Sequence, residues 1–133
     1  MLEKLDHIGI AVKDLDQAMK LYRDAFGIEP SMVYESSYTK AKIAFFPLGE
    51  VRIELMQPVN PDSVLGKFLE KKGEGIQHIA YKVRDVDKSL TELAEKGVQL
   101  IDKQSRQVRE NERVAFLHPK STNGVLIELI QED

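Results

Sequence analysis

Two histidines and two glutamates draw attention because each recurs in the same setting. His7 lies in LDHIGIAVKDLDQAMKLY (5–22) and His78 in IQHIAYKVRDVDKSLTEL (76–93), at an offset of 71. Five positions of the two stretches are identical: His7/His78, Ile8/Ile79, Val12/Val83, Asp14/Asp85 and Asp16/Asp87. The same offset lays KIAFF (42–46) over RVAFL (113–117). With three extra residues in the second turn, IEL (53–55) falls on IEL (127–129), so Glu54 is matched with Glu128. Three matches in one order argue for a duplicated unit. Two imidazoles and two carboxylates form a borderline-hard donor set suited to a divalent first-row ion. Closed tetrahedrally, such a set reads as structural zinc. Around an octahedral ion it leaves two exchangeable positions and can do chemistry. A strand histidine taken singly is usually a hydrogen-bonded core or rim residue, and an edge-strand glutamate is usually solvated. The duplication is what raises all four to candidate ligands.

Strands must hold these residues, and each half predicts the same elements. Strands are expected at Asp6–Val12 and Gln77–Val83, both rich in Ile and Val. Alternation puts His7, Gly9 and Ala11 on one face and Ile8, Ile10 and Val12 on the other; His78 and Ala80 likewise oppose Ile79, Tyr81 and Val83. A small residue beside each histidine leaves room for something else. Helices follow, capped by Asp14 and Asp85. Their apolar positions recur at Leu15, Ala18, Met19, Leu21 and Tyr22, and at Val86, Leu90, Leu93 and Ala94; Gly27 and Gly97 end them. Three strands then close each half, at about 32–38, 41–47 and 50–57, and at about 98–102, 112–118 and 124–131. The turns Leu48-Gly49-Glu50 and Thr122-Asn123-Gly124 read as hairpin connections. The expected fold is α+β, two tandem βαβββ modules in a single domain 1–133. The modules span about 1–58 and 76–133, joined by a helical linker 59–75 whose helix starts near Asp62 or Ser63. In the last strand Glu128 shares a face with Leu126 and Ile130, where a lone carboxylate is costly unless paired or metal-bound. Glu54 sits between Arg52 and Met56 and could be solvated or salt-bridged.

The composition bounds the remaining classes. At 133 residues the chain has one domain's worth of length. Its 42% apolar and 31% charged residues are those of an ordinary globule rather than a disordered segment. No stretch is long and apolar enough to suggest a membrane span, and the charged N-terminus lacks a secretory core. With no cysteine there is no disulfide scaffold, thiolate site or cysteine nucleophile, which fits a cytosolic protein. A net charge of −3 argues against a general nucleic-acid footprint. Phosphate-binding glycine loops and a nucleophile elbow are absent. His118, before Pro119, reads first as a turn residue and second as a proton shuttle. Lys40, Lys42, Arg113 and Lys120 are candidates for a substrate phosphate or carboxylate, although such residues are usually solvated. Arg106–Arg113 (RQVRENER) reads as an exposed loop leading into a strand.

The segments LDHIGIAV, IELMQP, GEGIQHIAYKV and VAFLHPKSTNGVLIELIQ together resemble the vicinal oxygen chelate superfamily, over nearly the whole chain. Within it they are most similar to methylmalonyl-CoA epimerases and bacterial glyoxalase I. The resemblance implies a curved sheet around a metal-containing cleft, with His7, Glu54, His78 and Glu128 as the four ligands of a divalent ion (Co, Mn, Ni, Zn or Fe). DSVLGKFLEKKGEGIQHIA and FLHPKSTNGVLIEL tilt it toward the epimerases. Departures are Gln77-His78 for a frequent His-His, Thr39-Lys40-Ala41 for Gln-Gly-Val, and Arg109-Glu110-Asn111-Glu112 for a glycine-containing loop. These implied loops border the acyl-CoA site, so they bear on the substrate. The implied activity is interconversion of (2R)- and (2S)-methylmalonyl-CoA by α-proton transfer, with Glu54 and Glu128 as base and acid. Two alternatives stand beside it. One is a glyoxalase I-like isomerase acting on a glutathione adduct; the other is a metal-free small-molecule binding protein of the same fold. A cytoplasmic homodimer acting on an acyl-CoA or glutathione-adduct substrate is expected, with no nucleic-acid or membrane partner.

Overall fold

The computed structural model describes every residue from Met1 to Asp133. The fold is α+β: β1 (Lys4–Ala11), α1 (Leu15–Asp24), β2 (Met32–Ser36), β3 (Ala41–Leu48), β4 (Val51–Pro58), α2 (Val64–Lys72), β5 (Gly75–Lys82), α3 (Val86–Glu95), β6 (Arg106–Arg109), β7 (Glu112–Leu117), a 3-10 turn (Pro119–Ser121) and β8 (Ile127–Glu132). No helix is long and apolar enough to cross a membrane. The chain forms two compact units, His7–Gln77 and Met1–Asp6 with His78–Asp133.

In the unit His7–Gln77 the strand order is β2-β3-β4-β1. β1 runs parallel to β4, and β3 is antiparallel to both β2 and β4. The sheet is apolar on both faces because a helix covers each. On one face α1 buries Leu15 and Met19 against Val12, Ala44, Phe46 and Leu55. On the other Leu65 of α2 joins Ala11, Ala41, Ile43, Phe45 and Met56. Alternate residues of one strand thus serve different cores, Phe45 one and Phe46 the other, as a period of two requires. Leu21, on the apolar list for α1, is half exposed on the outer side of the helix. Ser63 caps α2 by accepting from Gly66 N, so the helix starts at Val64. Gly66 has no alternative there, because a Cβ would stand 2.5 Å from the carbonyl oxygen of Pro61.

In the other unit the order is β5-β8-β7-β6, with β5 parallel to β8 and flanked by the first residues of β1, where Glu3 N donates to Lys82 O. One core holds it together: Val86 and Leu90 of α3 against Val83, Ala115, Leu117 and Leu129. The helix ends where Gly97, at φ 88°, lets Val98 N return to Leu93 O. That left-handed turn costs a side-chain-bearing residue energy that glycine avoids.

The sixth strand is not at 98–102. Only Leu100 bridges Leu117 there, and the side chain of Asp102 accepts from Phe116 N at 2.8 Å, taking the place of a ladder partner. β6 instead lies in the charged run read as a loop. Arg106–Arg109 pairs antiparallel with β7 through a register shift, and Arg109 forms an ion pair with the buried Glu112. Charged side chains suit an edge strand, where they discourage pairing with another chain.

Helix N-termini repeat the duplication. Asp14 accepts from Gln17 N at 3.1 Å and Asp85 from Lys88 N at 3.0 Å. Each helix has a second cap from the last strand of its own module: Gln57 Oε1 accepts from Leu15 N at 2.8 Å, and Gln131 Oε1 from Val86 N at 2.9 Å. These amides satisfy backbone donors that the helix itself leaves orphaned.

Candidate functional site

The two parallel strand pairs place the four candidate ligands in the same local geometry. In β1 and β4 the register puts Gly9 opposite Glu54 and His7 opposite Arg52. In β5 and β8 it puts Ala80 opposite Glu128. Each carboxylate therefore lies across from a small residue and diagonally from a histidine two positions earlier. His7 Nε2 is 3.7 Å from Glu54 Oε1, and His78 Nε2 is 3.9 Å from Glu128 Oε1. All four are buried, with 2%, 7%, 3% and 7% exposure for His7, Glu54, His78 and Glu128. Glu54 is therefore no solvated rim residue, despite Arg52 and Met56 beside it in the strand. Its burial matches that of Glu128.

A phenylalanine edge orients each imidazole. Phe45 meets His7 with ring centroids 5.6 Å apart at 78°, and Phe116 meets His78 at 5.8 Å and 85°. These aromatics are equivalent under the offset of 71, and the KIAFF/RVAFL match was the signal that could have found them. They also sit directly across the ladder from the carboxylates, Phe45 opposite Glu54 and Phe116 opposite Glu128. Around Phe45 the first unit adds Tyr34, stacked at 6.4 Å, and the Arg52 guanidinium 4.2 Å over the ring.

The donor chemistry fits a metal. Two donors about 2.1 Å from one ion stand at most about 4.2 Å apart, and both His–Glu separations fall inside that limit. Neither pair is close enough for a direct hydrogen bond. Burial of both carboxylates makes a compensating charge valuable. His7 and Glu54, together in one unit, are among the residues that could hold a metal ion.

The other candidates take other roles. His118 is a turn residue: its Nδ1 accepts from Lys120 N at 3.0 Å and starts the 3-10 turn. Lys40 sits in the β2–β3 turn at φ 54°, and its carbonyl accepts from Val59 N. Beside it Thr39 Oγ1 is buried without a hydrogen-bond partner. Lys42 and Arg113 alternate with Ile43, Phe45, Val114 and Phe116 along their strands, so they point away from the faces that carry the histidines. Arg113 instead joins Asp87 and Ser105 on the α3 side. There the backbone N–H of Ser105, then its hydroxyl, with Arg113 nearby, hold the Asp87 carboxyl below its ordinary value. Burial pushes the Tyr22 hydroxyl up.

Comparison with known proteins agrees with the fold. Residues 6–116 match the profile of the Glyoxalase/Bleomycin resistance protein/Dioxygenase superfamily. An uncharacterized Bacillus subtilis protein, YqjC, is 39% identical over 130 residues, covering 98% of this chain and 93% of its own. The ethylmalonyl-CoA/methylmalonyl-CoA epimerase of Cereibacter sphaeroides is 35% identical over 133 residues, covering 98% and 99%. The crystal structure of methylmalonyl-CoA epimerase from Mycobacterium tuberculosis superposes with a TM-score of 0.92 at 37% identity, covering 99% of this chain and 89% of that one. With a matching profile over most of its length and relatives that span it nearly end to end, the chain belongs to the Glyoxalase/Bleomycin resistance protein/Dioxygenase superfamily.

Proposed function

We propose that this protein is a metal-dependent epimerase that interconverts (2R)- and (2S)-methylmalonyl-CoA. The observation that carries the reading is the paired set of buried His–Glu couples, His7–Glu54 and His78–Glu128, in a chain whose full-length relatives include epimerases of this substrate. The four residues are proposed to hold one divalent ion together. When bound, the ion supplies positive charge beside the thioester oxygen and so acidifies the α-proton. The protein's part is to move that proton. Glu54 and Glu128 come from different modules and are the proposed base and acid, one removing the α-proton at a carboxylate oxygen and the other returning a proton to the opposite face of the carbon. Phe45 and Phe116 keep the imidazoles oriented and exclude water from beside them. No electrons leave the substrate, so no redox cofactor is needed. The same reading takes the protein as a cytoplasmic homodimer.

The test is incubation of the metal-loaded protein in heavy water with each methylmalonyl-CoA epimer. Deuterium should enter at the α-carbon and the epimers should interconvert. Turnover of the methylglyoxal–glutathione hemithioacetal without exchange of methylmalonyl-CoA would establish the glyoxalase alternative. Failure to bind any divalent metal under metal-replete conditions would end both enzyme readings and leave a binding protein of the same fold.

A further inference from the structure

The unit Met1–Asp6 with His78–Asp133 carries a second polar site, on the α3 side of its sheet and away from the face that presents His78 and Glu128. It is a hollow of about 430 Å³ lined by Asp87, Thr91, Lys103, Gln104, Ser105 and Arg113. Small-molecule pockets commonly span roughly 300–1,000 Å³ but are mostly apolar. This one has no aliphatic or aromatic lining, so it offers little to an apolar ligand and much to a charged one.

The internal hydrogen bonds decide which charge. Ser105 donates its backbone N–H to Asp87 Oδ1 at 2.7 Å and its hydroxyl to Asp87 Oδ2 at 2.8 Å. Its oxygen accepts from Arg113 Nε at 2.8 Å. Both oxygens of the one carboxylate are thus engaged, and the Thr91 hydroxyl is spent on the Asp87 carbonyl. The donors that remain are the two terminal nitrogens of Arg113, the Lys103 ammonium and the Gln104 amide. Two cations against one anion leave the lining with a net charge of +1. Ser105 fixes Arg113 through Nε, so the guanidinium fork is already oriented, and that fork matches two oxygens of a phosphate.

We propose that this hollow is a binding site for a phosphate-type oxyanion, with Arg113 and Lys103 as its charged donors and Gln104 as a neutral one. A tetrahedral dianion uses donors converging from several sides better than a planar carboxylate does. The site belongs to one module only. Under the offset of 71 its residues correspond to Asp16, Lys20, Met32, Val33, Tyr34 and Lys42, of which Lys20 is committed to an ion pair with Asp24. It is therefore separate from the duplicated His–Glu machinery and does not rest on the epimerase reading. Two sources share the chemistry, free phosphate and the phosphate group of a nucleotide.

The experiment is an NMR titration of the full chain with inorganic phosphate, against sodium chloride at matched ionic strength, repeated with adenosine 3′-monophosphate. Saturable amide shifts are expected at Thr91, Gln104, Ser105 and Arg113, and Lys103→Gln and Arg113→Gln should each weaken binding about tenfold or more. Lys103 is on the surface, so its variant keeps the fold even if Arg113→Gln loosens the loop. Tighter binding of the nucleotide, with shifts reaching beyond these residues, supports the site and names a nucleotide as its ligand. Equal binding supports it with the phosphate group as sole determinant. Absence of saturation by both probes, or shifts that survive in Lys103→Gln and Arg113→Gln alike, overturns the proposal.

Discussion

The two units hold the same His, Glu and Phe on one face of a parallel strand pair, yet they enclose them differently. In His7–Gln77 that face runs into an apolar cluster under α2, where Leu65 meets Ile43, Phe45 and Met56. In the other unit the lone α-helix packs on the opposite face, and the face with His78 ends at the half-buried Arg109–Glu112 ion pair. Arg52, over Phe45, corresponds to Leu126. Asp16, in the first turn of α1, corresponds to Asp87, which in its own unit ties the loop at Ser105 to α3. What the duplication kept are the candidate ligands, His7/His78 and Glu54/Glu128, and the Asp and Gln side chains that cap helices. What it let diverge is the surrounding wall.

The sharpest way to break this equivalence is to remove one imidazole at a time. His7→Ala and His78→Ala should each cost activity about 100-fold or more, since even residues that only support ligands cost 10–100-fold, and each should strip bound metal. Elemental analysis and circular dichroism on the same samples read the two effects. Full metal retention in one variant would show that only one pair matters.

The carboxylates come next. Glu54→Gln should keep its metal, because the amide oxygen still ligates, and should lose about 100-fold or more of the exchange from one epimer, the scale of a single acid–base group. Glu128→Gln should impair exchange from the other epimer. With the two carboxylates equally buried, neither is expected to be the milder site. Full exchange from both epimers in Glu54→Gln would reduce Glu54 to a plain ligand.

A smaller effect tests the paired caps. Gln57→Ala and Gln131→Ala each leave a helix donor without its partner and should destabilise the protein by about 1 kcal/mol. Urea unfolding of the two variants should give similar losses if the modules are mechanically alike.

The smallest effect concerns Asp87, which has no working twin. Its folded pKa is lowered, first by the backbone N–H of Ser105, then by the Ser105 hydroxyl and by Arg113. The native state therefore favours the carboxylate. The stabilisation is present above the ordinary value of 3.8 and is lost as pH falls through the lower folded value. The difference in Tm between wild type and Asp87→Asn should persist at neutral pH and close in that acid window.

Much of this was legible in the residues themselves. The repeated HI…V…D…D stretch and the repeated IEL predicted both modules, both Asp caps and the four candidate ligands, because a strand with a period of two and a helix start leave strong local patterns. The sixth strand was not legible. Val98–Asp102 has the more strand-like composition, yet Arg106–Arg109 makes the ladder, since β7 selects its edge partner by register and a side chain, Asp102, fills the hydrogen bond that Val98–Asp102 would have made. Gln57 and Gln131 were equally silent. A glutamine at the end of a strand signals nothing until the parallel pairing of β1 with β4 and of β5 with β8 brings it to a helix N-terminus.

By itself, the sequence determined the alternation that puts a histidine and a small residue on one face, the duplication, and the helix starts, all of which depend on neighbours a few residues away. Only the tertiary structure decided that His7 stands 3.7 Å from Glu54 and His78 stands 3.9 Å from Glu128, that Glu54 is as buried as Glu128, and that Phe45 and Phe116 edge the imidazoles. Those facts depend on strand register and on what covers each face. Register is set by summed burial over whole strands, a sum that no local stretch of residues contains.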